Sequence, residues 1–149
     1  MPQGSGNWST EITLKSEHGA GQDFLQELLD QLHAGEWPDA EVFGIHLAIE
    51  EAVVNAIRHG NQFDPDKSVQ IWCRITPQHL WVAIEDEGAG FDPCAVPDCT
   101  CEDRLDVPSG RGVMLMRCFM NHVEFNARGN RVIMEKHRGQ PVPAMDDDE

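Results

Sequence analysis

Three polar side chains on one stretch of the sequence could bind a metal ion together with phosphate groups. In the segment HLAIEEAVVNAIRHGN, Glu51, Asn55 and His59 follow one another at intervals of four residues. On a helix this spacing forms one polar stripe beside the apolar positions. Polar groups beside a core-facing row cost free energy unless something satisfies them, and Mg²⁺ with phosphates would do so. A stripe that faces water is the alternative.

A second candidate site follows an apolar run, in the segment IEDEGAGFDP. Asp86 ends a predicted strand there, and Gly88 and Gly90 come directly after it. A carboxylate in this place could accept a hydrogen bond from an adenine amino group, and glycines let the backbone approach a ligand. Guanine offers a carbonyl oxygen instead and would be rejected. Because Asp, Glu and Gly are also common in turns, an ordinary turn explains the segment as well.

A third candidate site is an anion site in the segment PSGRGVMLM. Gly110, Arg111 and Gly112 open a predicted helix that runs from Gly112 to Phe119. Free amide groups at a helix N-terminus and a guanidinium group both attract phosphate oxygens. A glycine-rich helix start is a weak signal by itself.

The elements that would position these residues follow from the hydrophobic periods. One helix is predicted around residues 24–32, and a longer one begins after Asp39 as its N-cap, includes Phe43 among its apolar positions and stops at Gly60 and Asn61. Strands are predicted at residues 8–14, 68–75, 80–85, 123–126 and 131–137, with a final hairpin turned at Gly129 and Asn130. This pattern predicts an α+β fold, a two-layer sandwich with helices on one face of a mixed, mostly antiparallel sheet.

Length and composition are those of a single domain. The 149 residues, 40% of them hydrophobic, can bury an ordinary core without disulfides. We expect one domain over residues 1–138 and a disordered acidic tail over residues 139–149. Residues 93–109 are rich in proline and show no apolar period, which predicts a mobile loop or lid.

The charge balance argues against several classes of partner. With 26 acidic and 11 basic residues, the net charge is −15, which repels a nucleic-acid backbone. No apolar run approaches the roughly 20 residues of a membrane span, and no secretory signal is evident, so we expect a cytoplasmic protein.

The cysteines leave two interpretations open. Their number is five, which is odd and favours reduced thiols in an intracellular chain. Cys94, Cys99 and Cys101 could hold zinc with one further ligand, but their spacing differs from that of structural zinc sites. Free thiols in the predicted loop are the alternative.

The order of the three motifs resembles the N, G1 and G2 boxes of the GHKL ATPase superfamily. The segments EEAVVNAIRHGN, DEGAGFDP and SGRGVMLM are most similar to those of the bacterial anti-sigma-factor serine-protein kinases, one branch of this superfamily. The resemblance covers residues 8–137. It implies a Bergerat-type α/β sandwich with ATP between the central helix and a lid.

The resemblance also implies roles for single residues. Asn55 matches the Mg²⁺ ligand of the family, Glu51 its general base and Asp86 its adenine-binding acid. The glycines that hinge the lid and wrap the phosphates are matched by Gly88, Gly90, Gly110 and Gly112. To the nucleotide-binding set we add His59 and Arg111, which share the stripe and the anion site.

For the whole chain, the resemblance implies an ATP-dependent serine/threonine kinase that acts as an anti-sigma factor. Such proteins phosphorylate a small anti-sigma-factor antagonist, otherwise hold a sigma factor, and are often homodimers. A non-catalytic module that binds a regulatory partner under control of ATP is the alternative. Two departures from the family pattern stand out. Pro108 replaces an arginine, so the γ-phosphate contact falls to Arg111 or Arg104 or is absent. Gly129-Asn130 replaces Gly-Thr, which can still hydrogen-bond but alters the floor of the adenine site.

Overall fold

A computed structural model describes residues 7–17, 19–88, 116–127 and 129–140 of the chain. It contains one five-stranded sheet in the order β1-β2-β3-β5-β4, in which every neighbouring pair is antiparallel. The strands are β1 (Trp8–Lys15), β2 (Ser68–Thr76), β3 (His79–Asp86), β4 (His122–Phe125) and β5 (Arg131–His137). The predicted α+β class and all five predicted strands are confirmed.

The sheet has one face in the core and one face turned outward. Buried residues alternate with more exposed ones along β2, where Val69, Ile71, Cys73 and Ile75 face the core. This period of two is what a half-covered antiparallel strand requires. The turn from β2 to β3 consists of Pro77 and Gln78, since Thr76 already pairs with His79. Each strand therefore has a fixed inner and outer set of side chains.

Two helices cover the inner face. The first, α1 (Gln22–Ala34), buries Phe24, Leu25, Leu28 and Leu32, as its period predicted. The second, α2 (Asp39–Asn55), begins one residue earlier than predicted, because Pro38 is the N-cap and Asp39 is already helical. The predicted capping role of Asp39 is therefore wrong, although its charge lies in the first turn, where the helix dipole favours it.

The buried row of α2 differs from the predicted row at one position. Val42, Ile45 and Ile49 face the core, whereas the side chain of Phe43 is 60% exposed. Phe43 lies in the helix row of the polar residue His46, and its ring and that of Phe119 form a T-shaped pair at 6.4 Å between centroids. Its assignment to the apolar face is wrong, because residue type suggested burial where the helical angle does not allow it.

Helix α2 ends in a wider turn. Residues Ala56–Gly60 form a π-helical turn, in which the amide of Asn61 donates to the carbonyl of Ala56 at 2.9 Å. The predicted stop at Gly60 and Asn61 is confirmed, but the widening was not predicted. Single π-helical turns often occur at functional sites because they turn side chains out of the regular helical row.

Several predictions concern residues outside the described part of the chain. These are the loop at residues 93–109, the three neighbouring cysteines Cys94, Cys99 and Cys101, and the tail predicted at residues 139–149, of which the structure describes residues 139 and 140. Of the helix predicted for residues 112–119, the structure describes residues 116–119, which are helical. Among the described residues, no helix is both long and apolar enough to cross a bilayer.

Candidate functional site

A cavity of about 120 Å³ lies where the end of α2, the end of β3 and the β4–β5 hairpin meet. Three residues that the sequence singled out line it, namely Asn55, His59 and Asp86. The apolar part of its lining consists of Ala52, Ala56, Ile84, Met116, Phe125 and Val132. Gly60, Gly129, Asn130 and Arg131 complete the lining. The cavity is therefore apolar on several sides, with a few convergent polar groups, which is typical of a small-molecule site.

Asp86 is the one acidic residue among the described residues that line this cavity. It is 8% exposed, and its Oδ1 accepts a hydrogen bond from the backbone amide of Gly88 at 2.8 Å. The main chain of Asp86 is paired with Asn130: its amide donates to the Asn130 carbonyl at 2.9 Å, and its carbonyl accepts from the Asn130 side chain at 3.0 Å. These contacts fix the carboxylate before any ligand arrives.

Two glycines allow the backbone to close around this carboxylate. A Cβ atom on Gly60 would lie 2.3 Å from Oδ2 of Asp86, and one on Gly88 would lie 1.8 Å from the carbonyl oxygen of Gly60. Both distances are far below van der Waals contact. Only glycine therefore fits at either position while Asp86 remains in place. At Gly88, the missing side chain lets the backbone lie directly against the backbone of Gly60.

Asn61 connects this site to the rest of the sheet. Its buried side chain donates to Ser16 Oγ at 2.7 Å and to the Ser68 carbonyl at 2.9 Å. Its Oδ1 accepts from the amide of Glu87 at 2.8 Å, in the residue that follows Asp86. The amide group thus holds the start of β2, the end of β3 and the segment after β1 around the end of α2.

The polar stripe of α2 reaches the cavity at the C-terminal end of the helix. Asn55 is the last residue of α2 and is half-buried, and His59 lies in the π-helical turn. Glu51 lies one turn earlier and is half-buried, outside the lining formed by the described residues. Desolvation by burial raises the pKa of the Glu51 carboxyl, and the charge of Glu50 raises it further. His59 and Arg58 act in the opposite direction on that pKa.

The raised pKa makes Glu51 a better proton acceptor than an exposed glutamate. At the end of α2, the side chain of Asn55 contributes a neutral amide oxygen to the lining of the cavity. Mg²⁺ uses few protein ligands when phosphate oxygens and water supply the rest. The donor set of the cavity therefore fits a magnesium ion that arrives with a nucleotide.

The remaining predicted site residues are not tested by this geometry. Gly90, Gly110, Arg111 and Gly112 lie outside the described residues. The site also depends on Gly60 and Asn61, which the sequence marked only as the stop of the long helix. Asn130 was not among the predicted site residues, but the sequence marked it as a departure from the family's Gly-Thr at the floor of the adenine site.

Comparisons with known proteins agree with this arrangement. Residues 17–136 match the family model of the histidine kinase-like ATPase domain. An anti-sigma F factor from Clostridium perfringens (strain SM101 / Type A) is 33% identical over 102 residues, which cover 64% of this chain and 72% of that protein. The anti-sigma F factor from Halalkalibacterium halodurans is 34% identical over 103 residues, or 65% of this chain and 70% of that protein.

The fold is also similar to that of a solved structure. It is the crystal structure of the RsbU and RsbW domains of Rv1364c from Mycobacterium tuberculosis, with a TM-score of 0.60 and 13% sequence identity. The match covers 93% of this chain but only 35% of the other, so the chain spans about a third of that protein. At this identity the likeness concerns the fold alone.

Proposed function

This chain belongs to the histidine-kinase-like ATPase domain family, in the branch of the anti-sigma factors, and we propose that it is an ATP-dependent serine/threonine kinase. In this proposal the chain forms a homodimer. It phosphorylates a small antagonist protein and otherwise holds a sigma factor. The kinase activity and the choice between these partners would make it a partner-switching regulator. The anti-sigma F factor relatives, which are 33% and 34% identical to this chain over the aligned residues, support this role.

One observation carries the nucleotide part of the proposal. The buried Asp86 carboxylate lies in a partly apolar cavity, and the same cavity is lined by Asn55. A base that stacks among apolar side chains and donates an amino hydrogen to Asp86 would place its phosphates toward the end of α2. In the same orientation guanine would turn its C6 carbonyl oxygen toward the carboxylate, which cannot donate a hydrogen bond, so adenine is favoured over guanine.

The residues of the chain divide the chemistry among them. Asp86 orients the adenine, and Asn55 holds Mg²⁺, which when bound neutralises charge on the phosphates. Glu51 accepts the proton of the attacking serine or threonine hydroxyl, one helical turn from Asn55. We assign Gly110, Arg111 and Gly112 to the phosphate side, where amide groups and a guanidinium stabilise negative charge.

The nucleotide assignment is tested by binding. Asp86→Ala removes the acceptor for the adenine amino group and should lower ATP affinity by at least about tenfold, roughly 1.4 kcal/mol. Calorimetric titration of the wild type with Mg·ATP and with Mg·GTP provides the comparison. Equal affinity for ATP and GTP in the wild type would remove Asp86 from the adenine role.

The kinase assignment is tested separately by Glu51→Gln, which keeps the shape of the side chain and removes its basicity. This variant should still bind ATP and the antagonist but transfer phosphate about 10²–10⁴-fold more slowly. Glu27→Gln, an exposed change on α1 with the same effect on net charge, is the matched control. If the wild type binds ATP and its antagonist without any transfer, the chain is a non-catalytic ATP-gated binding module instead.

A further inference from the structure

We infer that the outer face of the sheet carries a second, separate metal site, formed by His79, Glu135 and His137 and suited to a divalent transition ion such as zinc. The ligand atoms of these three side chains all lie within 4.8 Å of one another. Two strands supply them, β3 and β5, and no part of the nucleotide cavity is involved.

The sheet register brings the three donors together. His79 and His137 are direct partners in the antiparallel pairing of β3 with β5. Glu135 precedes His137 by two residues, so both side chains point to the same face of the sheet. The imidazole rings of the two histidines stack at 4.7 Å between centroids, and His79 Nε2 lies 2.7 Å from Oε1 of Glu135. The backbone therefore preorganises the cluster.

The chemistry of the donors selects the class of ion. Two imidazoles and one carboxylate suit zinc, copper, nickel or iron, whereas magnesium and calcium prefer oxygen ligands only. Bonds of about 2.0–2.2 Å to a tetrahedral ion place ligand atoms roughly 3.4 Å apart. The present separations reach up to 4.8 Å, so we expect the partly exposed side chains to rotate toward the ion when it binds. Water can then occupy the fourth position.

The surroundings of the cluster leave it open to solvent. The side chains of His79 and Glu135 are 28% and 29% exposed, so an ion can enter without unfolding the sheet. His122 faces Glu135 across the β4–β5 pairing, but its imidazole contacts Glu124 at 3.0 Å. The inferred site therefore has three protein ligands.

The position of this cluster separates it from the proposed nucleotide site. His79 begins β3 and Asp86 ends it, which puts about 23 Å between the two ends of the strand. An ion at the cluster would join β3 to β5 at the end opposite Asp86 and Asn130. Zinc binding in the absence of nucleotide is thus independent of whether the chain is a kinase.

The test is a calorimetric titration of the nucleotide-free full chain with zinc chloride, at a pH of about 7.5 where ordinary imidazoles are neutral. All arms use a background in which Cys94, Cys99 and Cys101 are replaced by serine, so that these thiols cannot compete. Removing a residue that only supports a metal ligand costs about 10–100-fold in metal affinity. Because His79 and His137 are proposed as direct ligands, His79→Ala and His137→Ala should each lower zinc affinity by at least about tenfold. His33→Ala, which removes an exposed histidine on α1, is the matched control and should bind zinc as the background does.

A second measurement does not depend on the folding of the alanine variants. In the background protein, zinc should shift the imidazole NMR signals of His79 and His137 together, and raise the melting temperature by mass action. Wild-type-like affinity in both alanine variants, or the absence of zinc binding in the background, would overturn the inference. Imidazole shifts at other histidines alone would also overturn it.

Discussion

At the scale of single residues, Asp86 depends on the absence of a side chain at Gly60. A methyl group there would lie 2.3 Å from the carboxylate, so Gly60→Ala must displace either the turn or Asp86. We expect ATP affinity to fall by at least about tenfold, and the overpacked turn to cost roughly 1–3 kcal/mol of stability. The measurements are nucleotide titration and urea unfolding.

The matched control for this change is Gly35→Ala, at the end of α1. Its Cβ atom would meet nothing closer than Cδ1 of Trp37 at 3.3 Å, which a small shift accommodates. This variant should bind ATP as the wild type does. Equal ATP affinity in the two alanine variants would show that Gly60 does not position Asp86.

The raised pKa of Glu51 predicts a conflict between stability and activity. Because burial makes ionisation harder in the folded chain, Glu51 favours folding only while it is protonated. That contribution is complete below the ordinary value of 4.5 and is lost as the pH rises through the folded pKa. At neutral pH, Glu51→Gln should therefore be more stable than the wild type.

The size and pH range of this gain can be measured by chemical denaturation. Since the Glu51 side chain is only partly buried, screening by solvent limits the gain to about 1 kcal/mol at most. The difference should disappear below about pH 4, where the unfolded glutamate is protonated as well. Glu27→Gln changes net charge equally and should show no comparable gain. A destabilised Glu51→Gln at neutral pH would contradict the desolvation argument.

At the scale of elements, Asn61 joins three segments through one buried side chain. Asn61→Ala would leave Ser16 Oγ, the Ser68 carbonyl and the Glu87 amide without that partner. Buried polar groups that lose a partner cost about 1–3 kcal/mol each where water cannot replace it. We expect Asn61→Ala to lower the free energy of unfolding by at least about 2 kcal/mol.

An exposed hydrogen bond of the same amide type provides the control. Gln26 donates to Asp30 at 3.0 Å on the surface of α1, where water can take over the contact. Gln26→Ala should therefore change the free energy of unfolding by no more than about 0.5 kcal/mol. Equal losses in the two variants, measured by urea unfolding, would mean that the Asn61 contacts are replaced by solvent.

The elements themselves were predictable because their signals are local. The period-two strands and the apolar row of α1 follow from spacing alone, and so does the hairpin at Gly129 and Asn130. Phe43 was misplaced because its hydrophobicity outweighed its angular position. The π-helical turn was missed since it depends on tertiary contacts of Asn61, which no local pattern records.

The candidate site was predictable to a similar extent and for similar reasons. Asn55, His59 and Asp86 carry chemistry in their residue types, and the fold brings all three to one cavity. Gly60 acts by lacking a side chain and Asn130 by supporting the main chain of Asp86. Such roles become visible only when the strands and the helix end are placed together.

At the scale of the whole molecule, the net charge of −15 opposes the compact state. Folding brings the acidic groups closer together, so their mutual repulsion destabilises the folded chain unless salt screens it. The screening length falls from about 30 Å at 0.01 M salt to about 10 Å at 0.1 M. Stability should therefore rise with sodium chloride over this range.

A charge-reduced variant distinguishes this repulsion from other effects of salt. Glu17→Gln, Glu27→Gln and Asp66→Asn together remove three exposed negative charges from two loops and α1. In the wild type, the melting temperature should rise by at least about 3 °C between 0.01 and 0.5 M sodium chloride, as roughly 1 kcal/mol would produce in a chain of this size. The triple variant should start from a higher melting temperature at low salt and gain less, because part of the repulsion is already absent. If the melting temperature rises by the same amount in both proteins, the salt effect comes from ion binding or from exclusion of salt from the protein surface. Charge repulsion would then make no measurable contribution to the stability of this fold.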